Sequence, residues 1–454
     1  MKIVLTNILT VLCLLGIAQN DTLNEGYFPK IHNVKAISNF YNKLAELEAN
    51  ELHKVRITHI GDSHIQADYF TGDIREKFQN EFGYGGYGFS FPYKLAKTNG
   101  TKKVKYTTNA EFFATRNIFA DDILPVGISG YSFISTTKNT AIKLSLSDEC
   151  NYFNTIKVFY PENRSDLAFA DYNSTKDFNK TIPKYSEKIH IIKSGEYLST
   201  IASKYNVSVL EIKKANKLKS DIIYIGKDLK IPLKTLEKVN IEISDFNILE
   251  SSKFNGVCTY HSSNLRNEIY LFSNNTSKDL AINGFVLEND KKGIVYNAIG
   301  VNGAKSKDYN RFPLFFKQLS HLESDLIVIS TGTNESFDNL SPELFLKDFL
   351  LMIENIRKQN PNIEIIITTP PPSLFKRKNK NTFIPQYIHD IVANMYEYNY
   401  AVWDLYEAMG AHEKIHENYI NGYLAKDKVH YKKTGYSKQA ELFYFDLMHF
   451  YKNR

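Results

Sequence analysis

The chain has 454 residues and a formal net charge of +6, with 43% hydrophobic and 23% charged residues. That balance belongs to an ordinary globular protein of two or three domains and excludes a chain too polar to bury a sizeable core. The charge excess is too small to call for a nucleic-acid partner, and none is expected.

Residues 1–18, MKIVLTNILTVLCLLGIA, place a lysine near the start, then an apolar stretch, then the small residues Gly16 and Ala18. This is the pattern of a secretory signal, short for a membrane span. Leu12 before Cys13 fits a lipoprotein cleavage site poorly. No later segment offers 18 consecutive apolar residues, so an exported protein without an integral span is expected. Removing residues 1–18 leaves Cys150 and Cys258. They are candidates for a disulfide in an oxidising compartment, although nothing in the sequence fixes their separation. Two cysteines argue against a structural zinc site.

Val55–Ile60 is short and rich in β-branched residues, and Asp68–Phe82 spaces its apolar residues at helical intervals. Between them, GDSH turns the chain from strand to helix at Ser63. A turn of this kind leaves the first helical N–H groups without partners, so a serine there sits exposed beside an oxyanion site. Asp62 is expected to shape the turn, and His64 to support the structure rather than serve as a second base. The glycines of GYGGYGFSFPY (83–93) follow a helix, which suits backbone turns better than a phosphate cradle.

Residues 101–188 and 233–289 hold short alternating stretches such as AIKLSLS, TIKVFY and EIYLFSN, separated by Asn, Ser and Gly. The pattern predicts a β-sandwich-like insert. Residues 189–232 interrupt it with strand, helix, helix, strand. This segment resembles a LysM module through Gly195, Leu198, Ile201 and Ala202, then Asn216, Leu218, Asp221, Gly226, Leu229, Ile231 and Pro232. The resemblance implies binding of N-acetylglucosamine-containing glycans such as peptidoglycan, with contacts at Gly195, Glu196, Tyr197, Leu198, Asp221 and Ile223. Glu196 and Tyr197 replace the Asp and Thr more usual in that family. Eight lysines against four acids concentrate +4 of the net charge here, which favours polyanionic wall material.

Four further segments repeat the strand-then-helix order: 293–309, 324–336 with the helix after it, 362–373 and 399–410. With residues 55–62 they predict a doubly wound α/β fold with five parallel strands, a discontinuous domain of residues 19–100 and 290–454. Function gathers at the carboxyl ends of such strands, where Ser63, Gly303 and Asn334 fall.

These strand ends and the C-terminal DKVHYKKTG together resemble the SGNH/GDSL hydrolases. GDSH supplies Ser63 as nucleophile. NAIGVNGA supplies Gly303, and GTNE supplies Asn334, as oxyanion donors beside the N–H of Ser63. DKVHYKKTG supplies Asp427 and His430. A serine hydroxyl needs a base to take its proton, and a carboxylate three residues from histidine can hold the imidazole in the right tautomer. The resemblance implies ester hydrolysis through an acyl-enzyme, with no metal or organic cofactor. The LysM-like segment, the leader and the β insert after FGYGGYGFSFPY also resemble peptidoglycan O-acetylesterases. The expected activity is removal of the 6-O-acetyl group of N-acetylmuramic acid by a secreted or periplasmic, envelope-associated enzyme. The alternatives are acetyl transfer to glycan, deacetylation of another polysaccharide, or a wall-binding protein without catalysis.

Overall fold

The structure is a computed structural model describing residues 27–162, 167–273 and 279–454, so the leader expected at 1–18 lies outside the described residues. A six-stranded sheet carries the fold. Its strands are β1 (Ile31–His32), β2 (Lys54–Gly61), β3 (Gly293–Gly300), β4 (Leu326–Ser330), β5 (Glu364–Thr368) and β6 (Ala401–Trp403). The order across the sheet is β1-β6-β5-β4-β2-β3. Strands β2 to β6 run parallel, as their sequences predict, and β1 adds an antiparallel edge against β6. The order reverses at β2, which pairs with β3 on one side and β4 on the other, so the switch point lies at the end of β2.

The strands are apolar at consecutive positions because helices cover both faces. In β4, Leu326 and Val328 join one buried cluster with Phe70, Ile74 and Phe78 of the helix Phe70–Phe82. Ile327 and Ile329 join the other, with Phe345, Phe349 and Ile353 of the helix Pro342–Gln359. Among the described residues no helix is long and apolar enough to cross a membrane.

The long connection from β2 to β3 holds two five-stranded antiparallel sheets. They share one apolar core, with Tyr106 against Phe285 and Phe169 against Tyr260. The strand Gly88–Ser90, within the stretch expected to belong to the hydrolase, pairs with Phe285–Leu287 in one of these sheets. Cys150 and Cys258 are not joined. Cys150 sits on an exposed turn, whereas Cys258 is buried in a strand with its thiol bonded to Ser251, so the expected candidate disulfide does not form.

The segment around 189–232 stands on a two-stranded antiparallel ribbon, Thr181–Ile191 against Asp228–Lys238. Helices Leu198–Tyr205 and Val209–Asn216 close a small core of Ile192, Leu198, Ile201, Ala202, Ile212, Leu229 and Ile231 against its far end. The near end, Thr181↔Lys238 to Tyr185↔Lys234, extends beyond that core, with Tyr185 exposed, whereas Leu233 of the next pair packs partly against it.

Candidate active site

Strand β2 ends at Gly61, and the four-residue helix α1 (Ser63–Gln66) starts at once. A Cβ on Gly61 would come within 2.6 Å of the Ser330 carbonyl, so glycine permits the close approach of β4 at this point. Asp62 caps α1, accepting from the His64 N–H at 2.9 Å. Ser63, first in the helix, therefore presents its hydroxyl at the switch point.

His430 Nε2 lies 3.0 Å from Ser63 Oγ, and His430 Nδ1 lies 2.8 Å from Asp427 Oδ2. The other Asp427 oxygen accepts from the Val429 and His430 N–H groups, each at 3.0 Å. Partial burial raises the Asp427 pKa, but these bonds outweigh it and hold the carboxyl below its ordinary range. With Nδ1–H given to Asp427, Nε2 is free to accept from the serine hydroxyl.

Gly303 follows β3 at φ +85°, a left-handed conformation suited to glycine. Among the described residues, the N–H groups of Ser63 and Gly303 have no intramolecular acceptor. Asn334 sits inside the helix Thr333–Phe337, whose cap is Gly332. It is not a cap itself. Its amide nitrogen donates to Asp62 Oδ2 at 3.2 Å and to the Ala304 carbonyl at 3.0 Å, which ties all three strand ends together.

Glu335, Gln66 and Tyr436 escaped the sequence reading, whereas His64 was expected there as a support. Glu335 is buried and accepts from the N–H groups of Ser306 and Gly332, both at 2.9 Å, so it clamps the Gly303 loop to the Asn334 loop. Burial pushes its pKa up to about 7, and that of Asp62 up to about 6. Gln66 Oε1 accepts from the Asn302 N–H at 2.6 Å and from the Tyr131 hydroxyl at 3.0 Å, linking α1, the Gly303 loop and the β insert. His64 stacks on His430 with ring centroids 5.4 Å apart, and its Nδ1 is 2.9 Å from the Tyr436 hydroxyl. Burial, and next the adjacent His430, push its pKa down to about 3, so it stays neutral beside the imidazolium that catalysis would form. The one local signal for Gln66 was the polar character of "GDSHIQ" in a turn bordered by apolar residues.

In the small module, Gly195 at φ +82° and Tyr197 lie on open surface. Glu196 is occupied by His190 Nε2 and the Lys193 N–H, both at 2.8 Å, and exposed Asp221 pairs with Lys213 at 2.6 Å. Leu198 has its side chain buried in the module core, which leaves its backbone as the part that faces the surface loop. Ile223 packs partly against that core, while Ile222, Tyr224 and Ile225, passed over in the sequence, are exposed.

Two family models match the sequence. Residues 190–232 match the LysM domain, and residues 281–438 match the GDSL-like Lipase/Acylhydrolase family. The second stretch holds Gly303, Asn334, Asp427 and His430, and leaves Ser63 outside it, on the other side of the insert. Among solved structures, a peptidoglycan O-acetylesterase has the same fold at a TM-score of 0.62 and 19% identity, over 91% of this chain and 96% of its own. A lipase/acylhydrolase from Enterococcus faecalis matches at a TM-score of 0.28 and 21% identity, over 36% of this chain and 78% of its own. A probable N-acetylmuramoyl-L-alanine amidase AmiB of Haemophilus influenzae is 29% identical over 184 residues, 39% of this chain and 37% of its own length. The chain thus spans little more than a third of that curated relative.

Proposed function

We propose, for a chain that joins a GDSL-type acylhydrolase segment to a LysM domain, that it is an exported serine esterase of the cell envelope. Its substrate would be the 6-O-acetyl group of N-acetylmuramic acid in peptidoglycan. The observation that carries the reading is the hydrogen-bonded line from Ser63 through His430 to Asp427 at the switch point.

In this scheme Ser63 Oγ attacks the acetyl carbonyl carbon as its proton passes to His430 Nε2. Asp427 keeps the imidazole aligned and stabilises its charged form. The oxyanion forms against the Ser63 and Gly303 N–H groups and the Asn334 amide, which gives up part of its bonding to Asp62 and Ala304. Collapse expels the sugar hydroxyl, which recovers the proton from His430, and leaves an acetyl ester on Ser63. Water then gives a proton to His430 as it attacks the ester, and collapse releases acetate while His430 returns that proton to the departing Ser63 Oγ. The LysM module would keep the enzyme on its polymer while these steps take place.

The test is acetate release from O-acetylated peptidoglycan, with O-acetylated xylan as the comparison. Preferential release from peptidoglycan supports the reading. Equal or greater release from xylan would move the substrate to another polysaccharide, and no release from either would leave the esterase without a glycan substrate.

A further inference from the structure

The β insert reaches the candidate active site through Arg116. Strand Phe113–Arg116 pairs with Tyr131–Ser135, and the turn after it is held from the other side. Arg311 donates to the carbonyls of Asn117 at 3.3 Å and Ala120 at 2.9 Å. Arg116 is thereby set against the oxyanion loop. Its Nη1 donates to the Asn302 carbonyl at 2.6 Å, and a Cβ on Gly303 would lie 3.9 Å from the same nitrogen. Arg116 has no carboxylate partner among the described residues. Beneath its guanidinium, 4.8 Å from the ring centroid, lies Phe119, which is 68% exposed.

A guanidinium has five N–H donors in a rigid fork that matches a carboxylate. Here one is spent on Asn302, and the aromatic face holds the plane of the rest. We propose that Arg116 and Phe119 form a subsite for a carboxylate-bearing substituent of the substrate. The guanidinium takes the carboxylate, and the Phe119 ring takes the apolar face of the adjoining sugar. This inference rests on the glycan-ester reading of the same site. The carboxylate could belong to the sugar acid itself or to a peptide attached to it. If Arg116 only braced the Asn302 carbonyl, its loss would weaken charged and neutral ligands alike.

The test is inhibition of p-nitrophenyl acetate hydrolysis by the full chain with three compounds. N-acetylmuramic acid has its carboxylate on the sugar, muramyl dipeptide has it on the peptide, and N-acetylmuramic acid methyl ester has none. The wild type should bind at least one acid about tenfold more tightly than the ester, the size of one charge-assisted contact. The acid preferred identifies the source. In Arg116→Ala this ratio should fall to about one whatever happens to basal turnover, and Arg116→Lys, which keeps the charge and loses the fork, should retain part of it. An ester that inhibits the wild type as well as both acids overturns the subsite, as does a preference that survives in Arg116→Ala. Should Arg116→Ala not fold, a full tenfold preference in Arg116→Lys overturns the fork-specific role. Acetate release from O-acetylated peptidoglycan is scored separately, so its failure counts against the substrate reading and leaves the inhibition result standing.

Discussion

Replacing Asn334 by Asp tests the proposed oxyanion hole, because the two side chains are nearly the same size. Asn334 Nδ2 now donates to the buried Asp62 Oδ2 at 3.2 Å and to the Ala304 carbonyl at 3.0 Å. A carboxylate there would face one carboxylate and one carbonyl, with no hydrogen to share. Two unit charges 3.2 Å apart repel by about 5 kcal/mol at an effective dielectric of about 20, before relaxation. The pair would therefore hold on to one proton at neutral pH. Burial has already raised Asp62 to about 6, and the new neighbour raises the pair further. Groups whose folded pKa is raised contribute stability that is present at low pH and lost as pH rises through the folded value. The melting temperature of Asn334→Asp should therefore lie closest to wild type below about pH 4, the ordinary carboxyl value, and fall progressively below it towards pH 8. A loss of only about 2 kcal/mol corresponds to roughly 4–8 °C. In steady-state assays on p-nitrophenyl acetate, kcat and kcat/KM should fall together, because the proposed role of the amide is in the transition state. Asn334→Ala should cost about 2.7–4 kcal/mol, the size of one oxyanion donor, and Asn334→Asp at least as much. Near wild-type turnover in Asn334→Asp, or a melting gap that does not widen with pH, would refute this reasoning.

Ser63→Ala should lower hydrolysis of the same reporter by on the order of 10⁴–10⁶ with an unchanged circular dichroism spectrum; more than about a tenth of the wild-type rate would remove Ser63 as nucleophile. Excising residues 189–232 and closing the ribbon with a short Gly/Ser turn should leave the soluble reporter nearly unaffected and reduce activity on insoluble peptidoglycan; equal losses would make the module a support for the catalytic fold. Glu335→Gln should separate from wild type in its pH response. The stability contributed by the raised Glu335 pKa is present below about 4.5 and lost as pH rises through about 7, so the melting-temperature advantage of wild type over the variant should shrink from pH 5 to pH 8, and a constant gap would contradict the buried clamp.

The parallel strands were legible because each is a short apolar run that ends in polar turn residues, a signal contained in a few neighbouring positions. LIVIS at 326–330 and EIIIT at 364–368 needed no tertiary information. Ser63, Gly303, Asn334, Asp427 and His430 could be named because each lies in a short block at a strand end or near the C-terminus. What joins those blocks was hidden. Tyr436 reaches His64 across 372 positions, and Arg116 reaches Asn302 across 186. No periodicity marks a residue whose partner is set by how two distant segments pack. The same limit explains the cysteines, whose separation depends on sandwich strands that local alternation predicts in kind but not in position. Leu198 matched its module's pattern because the core requires it, and the sequence alone did not separate that requirement from a ligand contact.

The ribbon beneath the small module has a mechanical consequence. Its near end, five residue pairs from Thr181↔Lys238 to Tyr185↔Lys234, spans about 14 Å at about 3.4 Å per residue. Two hydrogen-bonded strands resist twisting and compression more than a single flexible linker of the same reach. A module gripping a glycan strand from the end of such a boom would let its partner visit only an arc of neighbouring sugars before the grip is broken. Acetyl groups would then disappear from the polymer in runs separated by untouched stretches, and the spacing of those runs would record the length of the boom.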